Sequence, residues 1–149
     1  MTITFDADDV AYFDEVHGRR SEALCPKPLQ VVFRDDDAAR PNDCHANAVR
    51  WAAQTPDAIP VHGWLIEAQD AFQLHIVAHS VVADEHGRLI DVTPMPIASP
   101  RFIPHRGTGD AFFRLLPRCN RVSWPVIDTL TFMTIDLDDG THGPAGVQS

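Results

Sequence analysis

No run of apolar residues in this chain approaches the ~20 that a membrane-spanning helix needs. The opening residues, Met1-Thr2-Ile3-Thr4-Phe5-Asp6, lack the basic and then apolar layout of a secretory leader. Lysine is almost missing: Lys27 stands alone beside eleven arginines, a skew that carries no mechanism. With 21 acidic residues against 12 basic ones, the formal net charge is −9. Such a surface repels phosphate backbones and anionic headgroups, so neither nucleic acid nor a membrane is an expected partner. Cysteine is scarce. Cys25, Cys44 and Cys119 are an odd number without CxxC spacing, which argues against a disulfide framework and a cysteine-rich zinc site. The chain is therefore expected in a reducing, cytoplasmic setting. No HExxH or HxH pair suggests a metal, no organic cofactor is implied, and no internal repeat is present.

What is there suits a globular protein. The 149 residues, 44% hydrophobic and 22% charged, are enough for one domain with a core of its own. We expect a single α+β domain over residues 1–137 and a disordered tail over 138–149. The pattern predicts a short helix over 7–18 with Val10, Phe13 and Val16 on one face. It predicts a strand over 29–34 and an acidic loop over 35–41. Asn42 and Asp43 then precede a helix whose Ala46, Val49 and Ala53 share a face, ended by Pro56. Strands are expected over 61–67, with Gly63 permitting a close backbone approach, over 74–83 and over 88–93. The prolines at 94, 96, 100 and 104 predict an irregular stretch, followed by a short helix over 110–116 and a long strand over 126–137.

The chemistry centres on Cys44. With Asp43 as the cap, this cysteine opens its helix, where partial positive charge and free N–H groups favour a thiolate. Those N–H groups also suit an oxyanion forming on a substrate carbonyl. A hairpin supplies the partners. Gly87 fits the left-handed position of a three-residue loop, Glu85-His86-Gly87, which pairs Asp84 with Arg88. That register pairs Val81 with Asp91 and His79 with Thr93, so His79 and Asp91 share a face. A four-residue loop would separate them. Asp91 interrupts the apolar run Leu89-Ile90-Asp91-Val92, where a carboxylate is costly unless paired. Cys44 as nucleophile, His79 as general acid/base and Asp91 as its orienter is the expected arrangement.

A cysteine opening a helix, then a histidine and an aspartate on successive strands, resembles the papain-like and transglutaminase-like thiol superfamily, with the transglutaminase-like core the closer likeness. The phrases Ile59-Pro60-Val61-His62-Gly63-Trp64, His79-Ser80 and Asp91-Val92-Thr93-Pro94 are similar to its strands. The same string resembles a family of uncharacterised bacterial proteins with ordered Cys-His-x-Asn, Gly-Trp, His-Ser and Asp-Val-Thr-Pro motifs. The resemblance spans about residues 42–94. It implies a cysteine-bearing helix on a small antiparallel sheet, and acyl chemistry on a peptide, protein or small amide: hydrolysis, deamidation or transfer. Ala38 stands where papain-like enzymes place an oxyanion-binding glutamine. The backbone N–H groups of Cys44, Asn42 and Asn47 are the alternatives. Asn47, one turn from Cys44, and Trp64 are further candidates for the pocket, and His105 for a loop folding over it. A binding module with a degenerate site and a metal protein using Cys44 and histidines are the rival readings. Cys25 and Cys119 read as structural, and Asp35-Asp36-Asp37 as a solvated loop or a cation ligand. The substrate and the oligomeric state are not written in the sequence.

Overall fold

The central strand is the ten-residue β3, Leu74–Ala83. Its run of Val, Ile and Ala is buried on both faces, as a strand enclosed on both sides must be. The structure, a computed structural model, describes residues 5–96 and 100–127. Before β3 come α1 (Ala7–Gly18), a 3₁₀ turn, β1 (Lys27–Pro28), α2 (Cys44–Gln54) and β2 (Ile59–Gln69). After it come β4 (Leu89–Asp91), β5 (Arg101–Pro104), α3 (Gly109–Cys119) and β6 (Arg121–Trp124). The class is α+β, with an antiparallel-rich sheet ordered β1-β4-β3-β2-β5 and β6 also paired to β3. Only β1–β4 is parallel among the described pairs. No described helix is long and apolar enough to cross a membrane.

The β3–β4 register is the one a three-residue loop dictates. Val82 pairs with Ile90 and Ala83 with Leu89, Asp84 N–H donates to Arg88 O at 2.9 Å, and Gly87 has φ +77°. On its other edge β3 runs beside β2 throughout. The edge it shares with β4 is divided: pairs with β4 end at Val82, pairs with β6 end at Val77, and Ala78 N–H donates to Asn120 O. The ladder is thus interrupted over residues 79–81.

Side chains of a strand alternate between faces, and all three helices cover the same face. At one end Phe13 and Val16 of α1 and Phe112 and Cys119 of α3 pack on Trp64, Ile76, Ala78 and Ile103. At the other, Ala48 of α2 packs with Val82, Val92, Val31 and Phe33, flanked by Trp51 and Ile90. Asp6 and Asp9 form a reciprocal capping box that starts α1. Asp9 is buried and bonds to Arg118 of α3 at 2.5 Å.

Several elements depart from the sequence pattern. Residues 29–34 form no strand: Val31 and Phe33 are buried as the alternation suggests, but Val32 bridges Ala38 and the chain turns at Asp36 (φ +64°). Parallel pairing falls to Lys27–Pro28 instead. On α2 the face carrying Ala46, Val49 and Ala53 is exposed, while Asn47 and Ala48 are buried. Alanine methyls bring little transfer energy, so the aromatic Trp51 and the hydrogen bonds of Asn47 decide which side turns inward. The proline-rich stretch ends in a strand, β5, drawn onto β2 where Gly63 lets it approach. A Cβ there would collide with Ile103 O and sit 2.8 Å from Phe102 Cζ. The last helix runs on to Cys119, and β6 follows it. Of the expected strand over 126–137, residues 126–127 are not in a strand and the rest lies outside the described residues, as does the expected tail over 138–149.

Candidate functional site

Cys44 is the first residue of α2, and the side chain of Asp43 makes no cap hydrogen bond. The helix therefore begins with N–H groups that its cap side chain leaves unsatisfied. Asn47 N–H is not among them, since it donates to Asp43 O at 2.9 Å. Cys44, its neighbour His45 and His79 of β3 line one cleft. His79 and Ser80 are successive strand residues and face opposite ways. Cys44 lies on the cleft with the first, while the Nδ1 of His45 lies 2.6 Å from the Oγ of the second. The start of α2 thus straddles the edge of β3, at the interruption between β4 and β6.

His79 is 4% exposed and Asp91 3% exposed, and His79 Nε2 lies 2.7 Å from Asp91 Oδ2. With Nε2 engaged, Nδ1 is the ring nitrogen left for sulfur. The other Asp91 oxygen accepts from Thr93 N–H at 3.0 Å. The Phe102 ring stands edge-on to His79, with centroids 6.2 Å apart, in space that Gly63 vacates across the β2–β3 pair. The structure joins His79 to Asp91, as the three-residue loop requires, and places Cys44 on the same cleft as His79.

The electrostatics follow from this geometry. Burial pushes the Cys44 thiol up, but hydrogen bonds from His45 and His79 and their positive charge outweigh it and bring it down to about 6. Burial pulls His79 down, and the bonds to Asp91 and Cys44 with their negative charge overcome it and raise it to about 9. Between these values a thiolate faces an imidazolium. The two titrate as one pair rather than as independent groups.

A cleft of about 730 Å³ opens on this pair, with Asn42, Thr93, Met95 and Asn120 on its walls. A larger groove, about 920 Å³, runs behind Asp91 between Pro26 and Val92 but touches neither Cys44 nor His79, so the smaller cleft is where the chemistry can occur. Asn42 lines the cleft in a left-handed conformation (φ +61°). Three candidates sit elsewhere in role or place. Asn47 is 3% exposed and its amide is spent: it donates to Arg40 O (2.8 Å) and Thr93 Oγ1 (3.0 Å) and accepts from Arg40 N–H. It ties α2 to the turn after Asp91 and has no donor to spare for a substrate. Trp64 is fully buried under α1 and α3, donating to Tyr12 Oη at 2.8 Å, because its strand position faces the helices. His105 follows β5 to that same side, with Nδ1 2.7 Å from Tyr12 Oη and its ring against Phe112, and does not line the cleft.

The acidic loop is occupied by Arg50, whose guanidinium reaches Asp35 (2.5 Å) and Asp37 (3.0 Å) and covers the Phe33 ring. Among the described residues, no group of three or more His, Cys, Asp or Glu side chains is gathered to hold a metal ion. Cys119 is buried, and burial raises its thiol to about 11; Cys25 is exposed rather than part of the core. Sequence reasoning missed the contacts of Ser80 with His45 and His62. The spacing from Cys44-His45 to His79-Ser80 was visible, but not that a helix would start on a strand edge. Comparison with protein-family models, curated proteins and solved structures finds no match.

Proposed function

We propose that the chain is a thiol-dependent amidohydrolase or acyltransferase of the papain-like or transglutaminase-like kind, acting in the cytoplasm on a peptide, protein or small amide. The observation that carries this reading is a helix-opening thiol that shares a cleft with an imidazole held on one nitrogen by a buried carboxylate. Cys44 is the nucleophile, His79 the general acid/base and Asp91 the residue that orients it. The thiolate adds to the amide carbonyl carbon, and the C=O π pair moves onto oxygen. The uncapped N–H groups at the start of α2, that of Cys44 first, face this oxyanion. Collapse breaks the C–N bond, and the amine leaves with the proton of His79. Water or an acceptor amine then attacks the thioester, giving its proton to His79 and returning the thiolate. The order of motifs between residues 42 and 94 supports the same reading.

Timed alkylation with iodoacetamide near pH 7 tests it. Cys44 should label faster than the exposed Cys25 and the buried Cys119, and His79→Ala should slow it by at least about tenfold. Equal slow labelling of all three cysteines overturns the nucleophile. On an amide or peptide panel, turnover should fall by about a thousandfold or more in Cys44→Ala.

A further inference from the structure

Ser80 is fully buried, and its Oγ lies 2.6 Å from His45 Nδ1 and 2.6 Å from His62 Nδ1. The two rings stand 6.4 Å apart between centroids, and Phe112 and Phe113 of α3 pack against both. A hydroxyl has one proton and two lone pairs. With both imidazoles neutral, or with one of them charged, every group in the bridge has a partner. One Nδ1–H donates to Oγ, and Oγ–H donates to the other Nδ1. A second positive charge breaks this arrangement. Both rings then donate to Oγ, the buried hydroxyl proton loses its acceptor, and two cations face each other beside two phenyl rings. Among the described residues, neither His45 nor His62 has a carboxylate within ion-pair distance. The bridge also has a mechanical place. Asn47 ties the first turn of α2 to Thr93 at 3.0 Å on one side, and His45 ties it to β3 through Ser80 on the other. The side chain of Asp43 adds no cap bond. Cys44 precedes His45 and His79 precedes Ser80, so a bond between the second members holds the first members on one cleft.

We propose that Ser80 is a positioning residue for the helix that carries Cys44. Its hydroxyl clasps His45 and His62 while at most one of them is charged, and lets go, freeing the first turn of α2, when both are. The inference rests on the thiol reading for its catalytic consequence, not for the clasp, which contains no sulfur. It adds an acid limit to activity that comes from the seat of the nucleophile rather than from its protonation. The second proton falls on His62: burial, then the positive charge of His45 and His105, hold its pKa below the usual histidine value. A histidine held below its unfolded value takes its proton more readily once released, so acid favours the open clasp.

Titratable groups stand around the bridge on each element packed against it. On α2 these are Cys44 and the cap residue Asp43, and on β3 His79, on the far face with Asp91 of β4 behind it. On α3 it is Asp110, next to Gly109, where a Cβ would stand 3.5 Å from His62 Cδ2. Past Phe112 lies His105 with Glu15 and Arg19 near it, bonded to Tyr12 of α1, whose phenol is pushed by burial up to about 12 and stays neutral. The test begins with an imidazole NMR titration. Burial alone leaves the His62 midpoint where it is whatever stands at position 45, whereas the clasp predicts that His45→Leu raises it by about half a unit or more. Amide exchange then reads the opening. Asn47 N–H, bonded to Asp43 O, and Ala48 N–H of wild type should lose protection by about tenfold as His62 takes its proton. In Ser80→Ala that protection should already be low at pH 7 and no longer follow His62. A His62 midpoint unmoved by His45→Leu, or wild-type protection that stays flat through the His62 titration, overturns the clasp; the second readout needs no variant to fold. Failure of the clasp leaves fast Cys44 alkylation standing. Slow Cys44 alkylation beside a working clasp overturns the thiol reading and with it the positioning role, so the two failures are told apart.

Discussion

A buried carboxylate in an apolar strand has to be matched by a charge or by donors, and Asp91 is matched by both: His79 on one oxygen and Thr93 N–H on the other. Asp91→Asn keeps the shape and removes the charge. The His79 pKa should drop from about 9, which an imidazole NMR titration reads directly. Turnover by the thiolate–imidazolium pair should be bell-shaped with limbs near 6 and 9, and the variant should lose its upper limb toward neutral pH. The stability effect has a definite sign. A raised histidine pKa stabilises the fold fully below its unfolded value near 6.5, and that stabilisation fades as pH climbs through about 9. Urea midpoints of wild type and Asp91→Asn should therefore differ most at mildly acid pH, by roughly 1–3 kcal/mol, and converge above pH 9. The His79–Asp91 contact was legible in the sequence because Gly87 sets the hairpin register that puts the two on one face. The His45–Ser80 contact was not. Adjacent helical positions point about 100° apart and look unable to share a task; only a helix starting on a strand edge lets one share the cleft of His79 while the next meets Ser80.

At the level of elements, β2 and β5 are joined by what Gly63 leaves out. Gly63→Ala would press a methyl into Ile103 O and the Phe102 ring, which is also the wall of His79. The expected cost is about 1–3 kcal/mol, visible as a lower thermal midpoint, together with slower Cys44 alkylation from a displaced imidazole. An unchanged midpoint would show that β5 can retreat without consequence. Asn47→Ala should cost about 1–3 kcal/mol by stranding Arg40 O and Thr93 Oγ1, measured by urea unfolding. The helix 44–54 could be read from its capping residues and the strand 74–83 from a run rich in Ile, Val and Ala. The buried side of α2 could not, because the inward face is led by Asn47, whose partners Arg40 and Thr93 are distant in sequence or fixed only by folding. Strand β5 was hidden by Pro100 and Pro104, which flank Phe102 and Ile103 without interrupting their pairing.

For the whole molecule, β3 threads both clusters: Ile76 and Ala78 belong to one and Val82 to the other. Neither cluster should melt alone. Far-ultraviolet dichroism and tryptophan fluorescence, the latter reporting Trp64 in the first and Trp51 beside the second, should give coincident urea transitions; a fluorescence change that precedes the loss of secondary structure would mean the ends unfold separately. The divided edge of β3 has one more consequence. A continuous ladder across residues 79–81 would be the more stable sheet, yet it would evict the helix start that brings Cys44 to His79. Selection for thermal robustness alone would favour substitutions that knit β4 and β6 into one uninterrupted border. Such variants would gain ruggedness and lose the seat of Cys44. The missing stitches are the opening through which the helix start reaches the strand.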